Sequence, residues 1–106
     1  MTNQIYHDKF IHYCIINDKR RIKQLMAKRP IDYRYYLKGI KICIAIRHNK
    51  LVKWLYSRKG GISKMGTELI GSLIKDCYLY ENYIIANWLI TEYKEFELKQ
   101  EQNNIL

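Results

Sequence analysis

Long hydrophobic runs are missing from this sequence. The longest uncharged apolar stretch, Tyr83 to Ile90, has eight residues and includes Asn87, whereas a membrane-spanning helix needs about 20 apolar residues. Near the N-terminus, Asp8 and Lys9 precede any sustained apolar segment, which is not typical of a secretory signal. We therefore expect neither a membrane span nor a membrane partner.

Cysteine is scarce, with only Cys14, Cys43 and Cys77. An odd number of widely spaced cysteines does not form a disulfide framework, and a reducing, intracellular location is expected. Structural zinc sites usually contain pairs of cysteines two to about four residues apart, and these three are too far apart in sequence to form one. We expect the thiols to pack in the core and the chain to bind no metal.

Motifs that carry catalysis are also missing. His7, His12 and His48 are scattered, with no acidic partner at catalytic spacing. Gly60 and Gly61 are not followed by the Gly-Lys-Ser/Thr of a phosphate-binding loop. Neither a Gly-x-Ser-x-Gly elbow nor a His-Glu-x-x-His pair is found. We therefore expect no enzymatic activity and no cofactor.

The 106 residues are 48% hydrophobic and 27% charged, which is enough apolar surface for a single folded domain. Apolar residues recur at helical spacing, as in Leu37, Ile40 and Ile44. Lys41 to Arg47 alternates partly, but the flanking stripes favour a helix. The sequence predicts an all-α fold, with connectors at Pro30 and at Gly60-Gly61.

One pattern occurs three times along the chain. Cys43, Leu51, Trp54 and Leu55 recur downstream, at one constant offset, as Cys77, Ile85, Trp88 and Leu89, and upstream, at a slightly shorter offset, as Cys14, Ile22, Leu25 and Met26. We predict three helix-turn-helix units over about 4–30, 32–60 and 66–92, a helical extension over 92–102 and a frayed tail over 103–106, in a single repeat domain covering 1–106. The alignment places both tryptophans in the core and makes base-stacking platforms the lesser alternative.

Helical pairs of this length, with a small residue eight positions before the second helix's first apolar anchor, resemble ankyrin repeats. Cysteine stands where that family places alanine. The Thr-Pro-Leu-His opening is absent, and Asp18, Arg47 and Glu81 replace the turn glycine. The resemblance implies three stacked repeats that form a short solenoid. Degenerate units rich in Ile, Lys, Tyr and Asn are also similar to the multigene-family proteins of African swine fever virus and of other large DNA viruses.

That second resemblance implies a viral protein in the host cell cytoplasm, or in the nucleus, that affects cell tropism or innate defence. The distribution of charge indicates the candidate binding surface. Residues 1–64 contain 16 Lys or Arg and 3 Asp or Glu, whereas residues 65–106 contain 3 Lys and 7 Asp or Glu. The predicted partner-binding residues are Lys19, Arg20, Arg21, Lys23, Arg34, Tyr35, Arg47, Lys50 and Lys53. The neighbouring Tyr33 and Tyr36 fit equally an interface or a seal between units.

Two functions fit this surface. The first is a non-enzymatic protein–protein interaction module whose partner is a host protein with an acidic surface. The second is a small nucleic-acid-binding protein that uses the basic patch in residues 19–64, where contacts to phosphates would release counterions. A third possibility is a shortened family member that has lost other repeats.

Overall fold

The structure is a computed structural model that describes residues 2–105, apart from the side chains of residues 2, 62, 63, 104 and 105. All regular structure in this range is helical, which confirms the predicted all-α class. The helices are α1 (Thr2–Ile15), α2 (Lys19–Lys28), α3 (Tyr33–Ile46), α4 (Asn49–Arg58), α5 (Ile62–Met65), α6 (Thr67–Leu79) and α7 (Tyr83–Ile105).

Local sequence chemistry accounts for several helix boundaries. The Asp18 carboxylate accepts a hydrogen bond of 3.1 Å from the backbone N–H of Arg21 and so caps α2. Helix α2 ends two residues before Pro30, which has no backbone N–H to donate. Helix α4 ends just before Gly60 and Gly61, whose φ angles of 86° and 61° are left-handed.

Three tight turns each contain a left-handed residue that is not glycine. These residues are Asn17, Arg47 and Glu81, with φ angles of 60°, 66° and 57°. The ankyrin resemblance predicts the first of them at Asp18, one residue too late. In each turn the next residue's backbone N–H reaches a carbonyl five residues back, which reverses the chain between two helices.

The helices pack as three pairs, and the first helices of successive pairs also contact each other. Helix α1 contacts α2, α3 contacts α4, and α6 contacts α7, while α1 contacts α3 and α3 contacts α6. The molecule is elongated, with extents of 49 × 31 × 21 Å. Helix α7 includes the predicted extension over 92–102 and stays helical through 105. The frayed tail predicted over 103–106 stays a prediction, and residue 106 lies outside the described residues.

The core forms where the first helices of the three pairs meet. Gly39 of α3 lies so close to α1 that an added Cβ would be 2.6 Å from Phe10 Cε2 and 2.9 Å from Cys14 Sγ. Cys14, Cys43 and Cys77 are all fully buried, as predicted. Other buried core residues are Tyr6, Ile22, Leu25, Tyr36, Ile40, Ile44, Leu51, Leu55, Ile70, Leu73, Ile85 and Leu89.

Two hydrogen bonds correct the alignment of the first unit. The Tyr6 hydroxyl donates to the carbonyl of Leu25, and the Tyr36 hydroxyl donates to the carbonyl of Leu55. These two contacts are equivalent. They align α1 and α2 with α3 and α4 at a sequence offset that is one residue longer than the offset between Cys14 and Cys43. Leu25 corresponds to Leu55, and Cys14 corresponds to Ile44 rather than to a cysteine.

Candidate functional site

A cluster of cations surrounds Trp54. The Nζ atoms of Lys19 and Lys23, from α2, lie 5.1 and 5.8 Å from the ring centroid, and the guanidinium carbon of Arg58, from α4, lies 5.3 Å away. Trp54 packs against the core but is only partly buried, which corrects its predicted place within the core. Because cations are attracted to the negative face of an indole ring, Trp54 holds three positive groups together at one place on the surface.

The next tryptophan, Trp88, has one cation over its ring. Lys53 Nζ lies 5.6 Å from the centroid of Trp88, which is likewise partly buried against the core, and the Tyr56 ring meets the same indole edge-on at 5.1 Å. Lys23 over Trp54 and Lys53 over Trp88 are therefore equivalent contacts between successive helices, α2 to α4 and α4 to α7. We call the surface formed by Lys19, Lys23, Lys53, Arg58, Trp54 and Trp88 the basic face.

Carboxylates do not neutralise the basic face within the part of the chain that the structure describes. The ion pairs there are Arg21–Asp18 at 3.5 Å, Arg34–Asp32 at 3.4 Å and Lys41–Asp76 at 3.5 Å. None of them includes a cation of the basic face. The positive charge of this surface is therefore available to an acidic partner.

Three further predicted site residues lie on α2 and α4 but make no ring contact with the basic face. Arg20 and Lys50 are exposed on α2 and α4. Arg21 pairs with Asp18 and lies 5.9 Å from the ring centroid of Tyr13. These three cations add to the charge of the same two helices.

Arg34 and Tyr35 belong to a different part of the surface. The backbone N–H of Arg34 donates to Asp32, and this bond is the main reason why the pKa of that exposed carboxyl is lowered. The Tyr35 ring stacks on His7 of α1 at 4.3 Å, and its hydroxyl donates to Gln4 Oε1 at 3.0 Å. The tyrosines on either side of Tyr35 therefore differ in role, because Tyr36 is buried and Tyr33 is exposed.

Arg47 connects two turns of the chain. Its guanidinium donates to the carbonyls of Tyr80 and Glu81, at 3.3 and 3.2 Å. Its side chain thus binds the third turn, which gives this predicted partner-binding residue a structural contact. No local sequence signal indicates this contact, because the acceptors are backbone carbonyls of a turn that is distant in the sequence.

Two further side chains connect successive turns. The Nε2 atom of His48 hydrogen-bonds the carbonyl of Ile15 at 2.9 Å, and the amide of Asn82 donates to the carbonyl of Ile44 at 2.9 Å. His48 and Asn82 both directly follow a left-handed residue. Each therefore satisfies a carbonyl near the end of the preceding pair's first helix.

The cysteine thiols are unsuited to reaction. The Cys43 thiol contacts the Cys14 carbonyl at 3.7 Å. Hydrogen bonding with Cys43 and burial raise the pKa of Cys14, and burial together with the nearby Asp76 raises the pKa of Cys77 to about 11. Because the thiolate is the nucleophile and the metal ligand, Cys14 and Cys77 are poor in both roles.

The surface depressions are open grooves. One groove, of about 360 Å³, lies between the α4–α5 connection and the C-terminal part of α7, with Gly60, Gly61, Glu92 and Phe96 in its lining. Within the described residues, no three His, Cys, Asp or Glu side chains gather as a metal-binding group. No helix among them is both long enough and apolar enough to cross a membrane.

Comparison with known proteins gives no match, whether to a family model, to a curated protein or to a solved structure. Within the chain, the basic face is the place where the structure brings predicted binding residues together. It combines Lys19, Lys23 and Lys53 with Arg58 and the two tryptophans.

Proposed function

We propose that the chain is a non-enzymatic protein–protein interaction module that binds an acidic surface of its partner through the basic face. The observation that carries this proposal is the cluster of Lys19, Lys23 and Arg58 around Trp54, which no carboxylate of the described residues neutralises. Aromatic rings held beside cations provide contact area and charge together, the combination found where partners bind most strongly.

The proposed scaffold is a short solenoid of three ankyrin-like hairpins. Pairwise contacts between neighbouring hairpins, and contacts that recur at equivalent positions, support this arrangement. The resemblance to viral multigene-family proteins supports the further proposal that the partner is a host factor involved in tropism or innate defence. Stacked repeats present extended surfaces of the kind such binding requires.

Nucleic acid is the less favoured partner for this face. Bases bind non-specifically by stacking on exposed aromatic rings, but three of the chain's own cations already lie over Trp54. The acidic residues 92–101 of α7 would also repel a long polyanion that follows the stack.

The test compares two triple charge reversals in a binding assay. Fluorescence anisotropy with a labelled polyglutamate peptide and with labelled single-stranded DNA and duplex RNA, at about 0.15 M salt, measures affinity for each class of polyanion. The face variant is Lys19→Glu/Lys23→Glu/Arg58→Glu. The control variant, Lys75→Glu/Lys94→Glu/Lys99→Glu, changes net charge equally at exposed positions elsewhere.

We expect wild type and the control variant to bind the peptide, and the face variant to bind it about tenfold more weakly or worse. In affinity capture from host cells, the control variant should recover a partner that the face variant does not recover. An equal loss of affinity in both variants would show that binding depends only on net charge, and would refute the proposal. Tight nucleic-acid binding with a steep salt dependence would replace it with the second function.

A further inference from the structure

Two grooves lie at related places on successive helix pairs. Each is bounded by the connector after one pair and by the second helix of the next pair. Groove A, of about 220 Å³, is lined by Met26, Pro30, Ile31, Tyr36, Arg58 and Lys59. Groove B is the groove of about 360 Å³ described above, and its lining includes Gly60, Gly61, Glu92, Glu95, Phe96 and Lys99.

The alignment of the pairs relates the two linings residue by residue. The corrected alignment of the first two pairs matches the connector residues 30–31 with 60–61. The alignment of the two tryptophans matches Arg58 with Glu92. All of these residues line their own groove. Groove B is therefore groove A repeated one pair further along the chain.

The equivalent walls of the two grooves carry opposite charge. Arg58 and Lys59 give groove A two cations, and none of the described residues in its lining is acidic. Glu92 and Glu95 give groove B two anions, against one cation, Lys99. The ion pairs found among the described residues include none of these five side chains. Each wall can therefore pair with an opposite charge that a partner brings.

Both grooves also have apolar side chains beside the charged wall. In groove A, Tyr36 and Ile31 are buried, and in groove B, Phe96 is partly buried against the core. Such a groove suits a long charged side chain, because its methylene groups cover apolar surface while its head group reaches the opposite charge. Groove A therefore fits a glutamate of a partner, and groove B fits a lysine or an arginine.

We infer that grooves A and B together bind one extended, mixed-charge segment of a partner protein, with its acidic side chains in groove A and its basic side chains in groove B. Helix α4 contacts α7, and packed helices lie about 8–10 Å apart, so equivalent points of the two grooves are separated by a similar distance. An extended chain rises about 3.3 Å per residue, which places the acidic and basic side chains about three residues apart. This segment belongs to the partner of the proposed function, on which the inference rests, because groove A shares Arg58 with the basic face.

Fluorescence anisotropy with two labelled peptides of zero net charge tests the inference. The block peptide contains Glu-Glu-Ser-Lys-Lys and the alternating peptide contains Glu-Lys-Ser-Glu-Lys, so the two differ only in the order of their charges. The groove variant, Glu92→Lys/Glu95→Lys, makes groove B basic. Its control, Glu68→Lys/Glu101→Lys, changes net charge equally at exposed positions, one on α6 and one on the side of α7 opposite Glu92. Far-UV circular dichroism confirms that each variant is folded.

We expect wild type and the control to bind the block peptide about tenfold more tightly than the alternating peptide. The groove variant should lose this preference, and it should bind an all-acidic Glu-Glu-Ser-Glu-Glu peptide about tenfold more tightly than the control does. Equal affinity of wild type for the block and alternating peptides, no binding of either, or an unchanged preference in the groove variant would overturn the inference. The polyglutamate assay with the face variant measures the basic face independently of these results, so the two proposals fail separately.

Discussion

Gly39 is a position where a single added methyl group would disturb the packing of two helices. In Gly39→Ala the new Cβ would lie 2.6 Å from Phe10 Cε2 and 2.9 Å from Cys14 Sγ, and such overpacking costs about 1–3 kcal/mol. This outweighs the gain in helix propensity, at most about 1 kcal/mol. Urea denaturation should therefore show a net loss of stability.

Gly71→Ala is the matched control, since its Cβ would meet open space in the middle of a helix. It should stabilise the protein by about 0.5–1 kcal/mol. If Gly39→Ala is as stable as Gly71→Ala, the close packing of α1 on α3 is refuted.

The three thiols should be inert in the folded protein. Cys14, Cys43 and Cys77 are fully buried, and the pKa of Cys77 is raised to about 11. We expect Ellman's reagent at about pH 8, below the ordinary thiol pKa of about 8.5, to react only as fast as the protein opens. In concentrated urea all three thiols should react at once. A rapid reaction in native buffer would contradict this assignment.

The same burial sets a pH dependence for stability. Burial raises the pKa of Cys77 to about 11 in the folded protein, so the unfolded chain loses its proton first. The contribution of Cys77 is complete below the ordinary thiol pKa of about 8.5 and is lost as pH rises through about 11. Burial raises the pKa of Tyr36 in the same direction. The urea concentration at the unfolding midpoint should fall as pH is raised from about 8. A midpoint that does not change with pH would show that burial of these groups does not affect stability.

At the scale of elements, Asn82 tests the connection between turns. Its side-chain Nδ2 donates to the Ile44 carbonyl and to Asn49 Oδ1, and its side-chain Oδ1 accepts from the Ile85 N–H. Asn82→Ala should cost about 2–3 kcal/mol in urea denaturation, because it leaves buried groups without partners.

Asn82→Asp separates two explanations for that loss. Aspartate caps a helix as well as asparagine does, but it cannot donate to the Ile44 carbonyl. We expect no rescue. Full recovery of stability in Asn82→Asp would show that capping alone accounts for the effect, and that the turn-to-turn bonds contribute little.

Much of the helical architecture could be predicted from spacing, because an amphipathic stripe is a local signal. The alignment of the first unit could not, since it relied on cysteine identity. A small buried side chain fills whatever gap two helices leave, and Cys14 fills the gap that Ile44 fills in the next pair. The reliable markers are the left-handed residue and the side chain after it, as in Asn17-Asp18 and Glu81-Asn82.

The candidate site was only partly predictable for a similar reason. Lys23 and Lys53 follow from charge on the solvated side of a helix, and the structure places both on the basic face. Arg47 has the same charge but contacts carbonyls of a distant turn. Trp54 directly precedes the buried Leu55 in the sequence, and the sequence pattern does not distinguish the two positions. The structure shows that Trp54 is only partly buried.

For the whole molecule, the uneven charge predicts a response to salt. Residues 1–64 carry 16 cations and 3 anions, and this crowding destabilises the folded state by self-repulsion. Raising ionic strength from about 0.01 M to 0.1 M shortens the Debye length from about 30 Å to 10 Å. The thermal midpoint should therefore rise.

Lys19→Gln/Lys23→Gln is the informative variant for this response. It removes two of the three cations around Trp54, so its midpoint should depend less on salt than that of wild type. A wild-type midpoint that falls as salt is added would mean that attractive charge pairs dominate.

The two indoles provide a built-in optical readout of this small protein. Trp54 lies between α2 and α4, with lysines of α2 over its ring, and Trp88 lies between α4 and α7, beside Lys53 and Tyr56. Emission from single-tryptophan versions, each with the other indole replaced by phenylalanine, would report the separation of one junction at a time. The order in which the hairpins part during unfolding can thus be recorded without adding a dye.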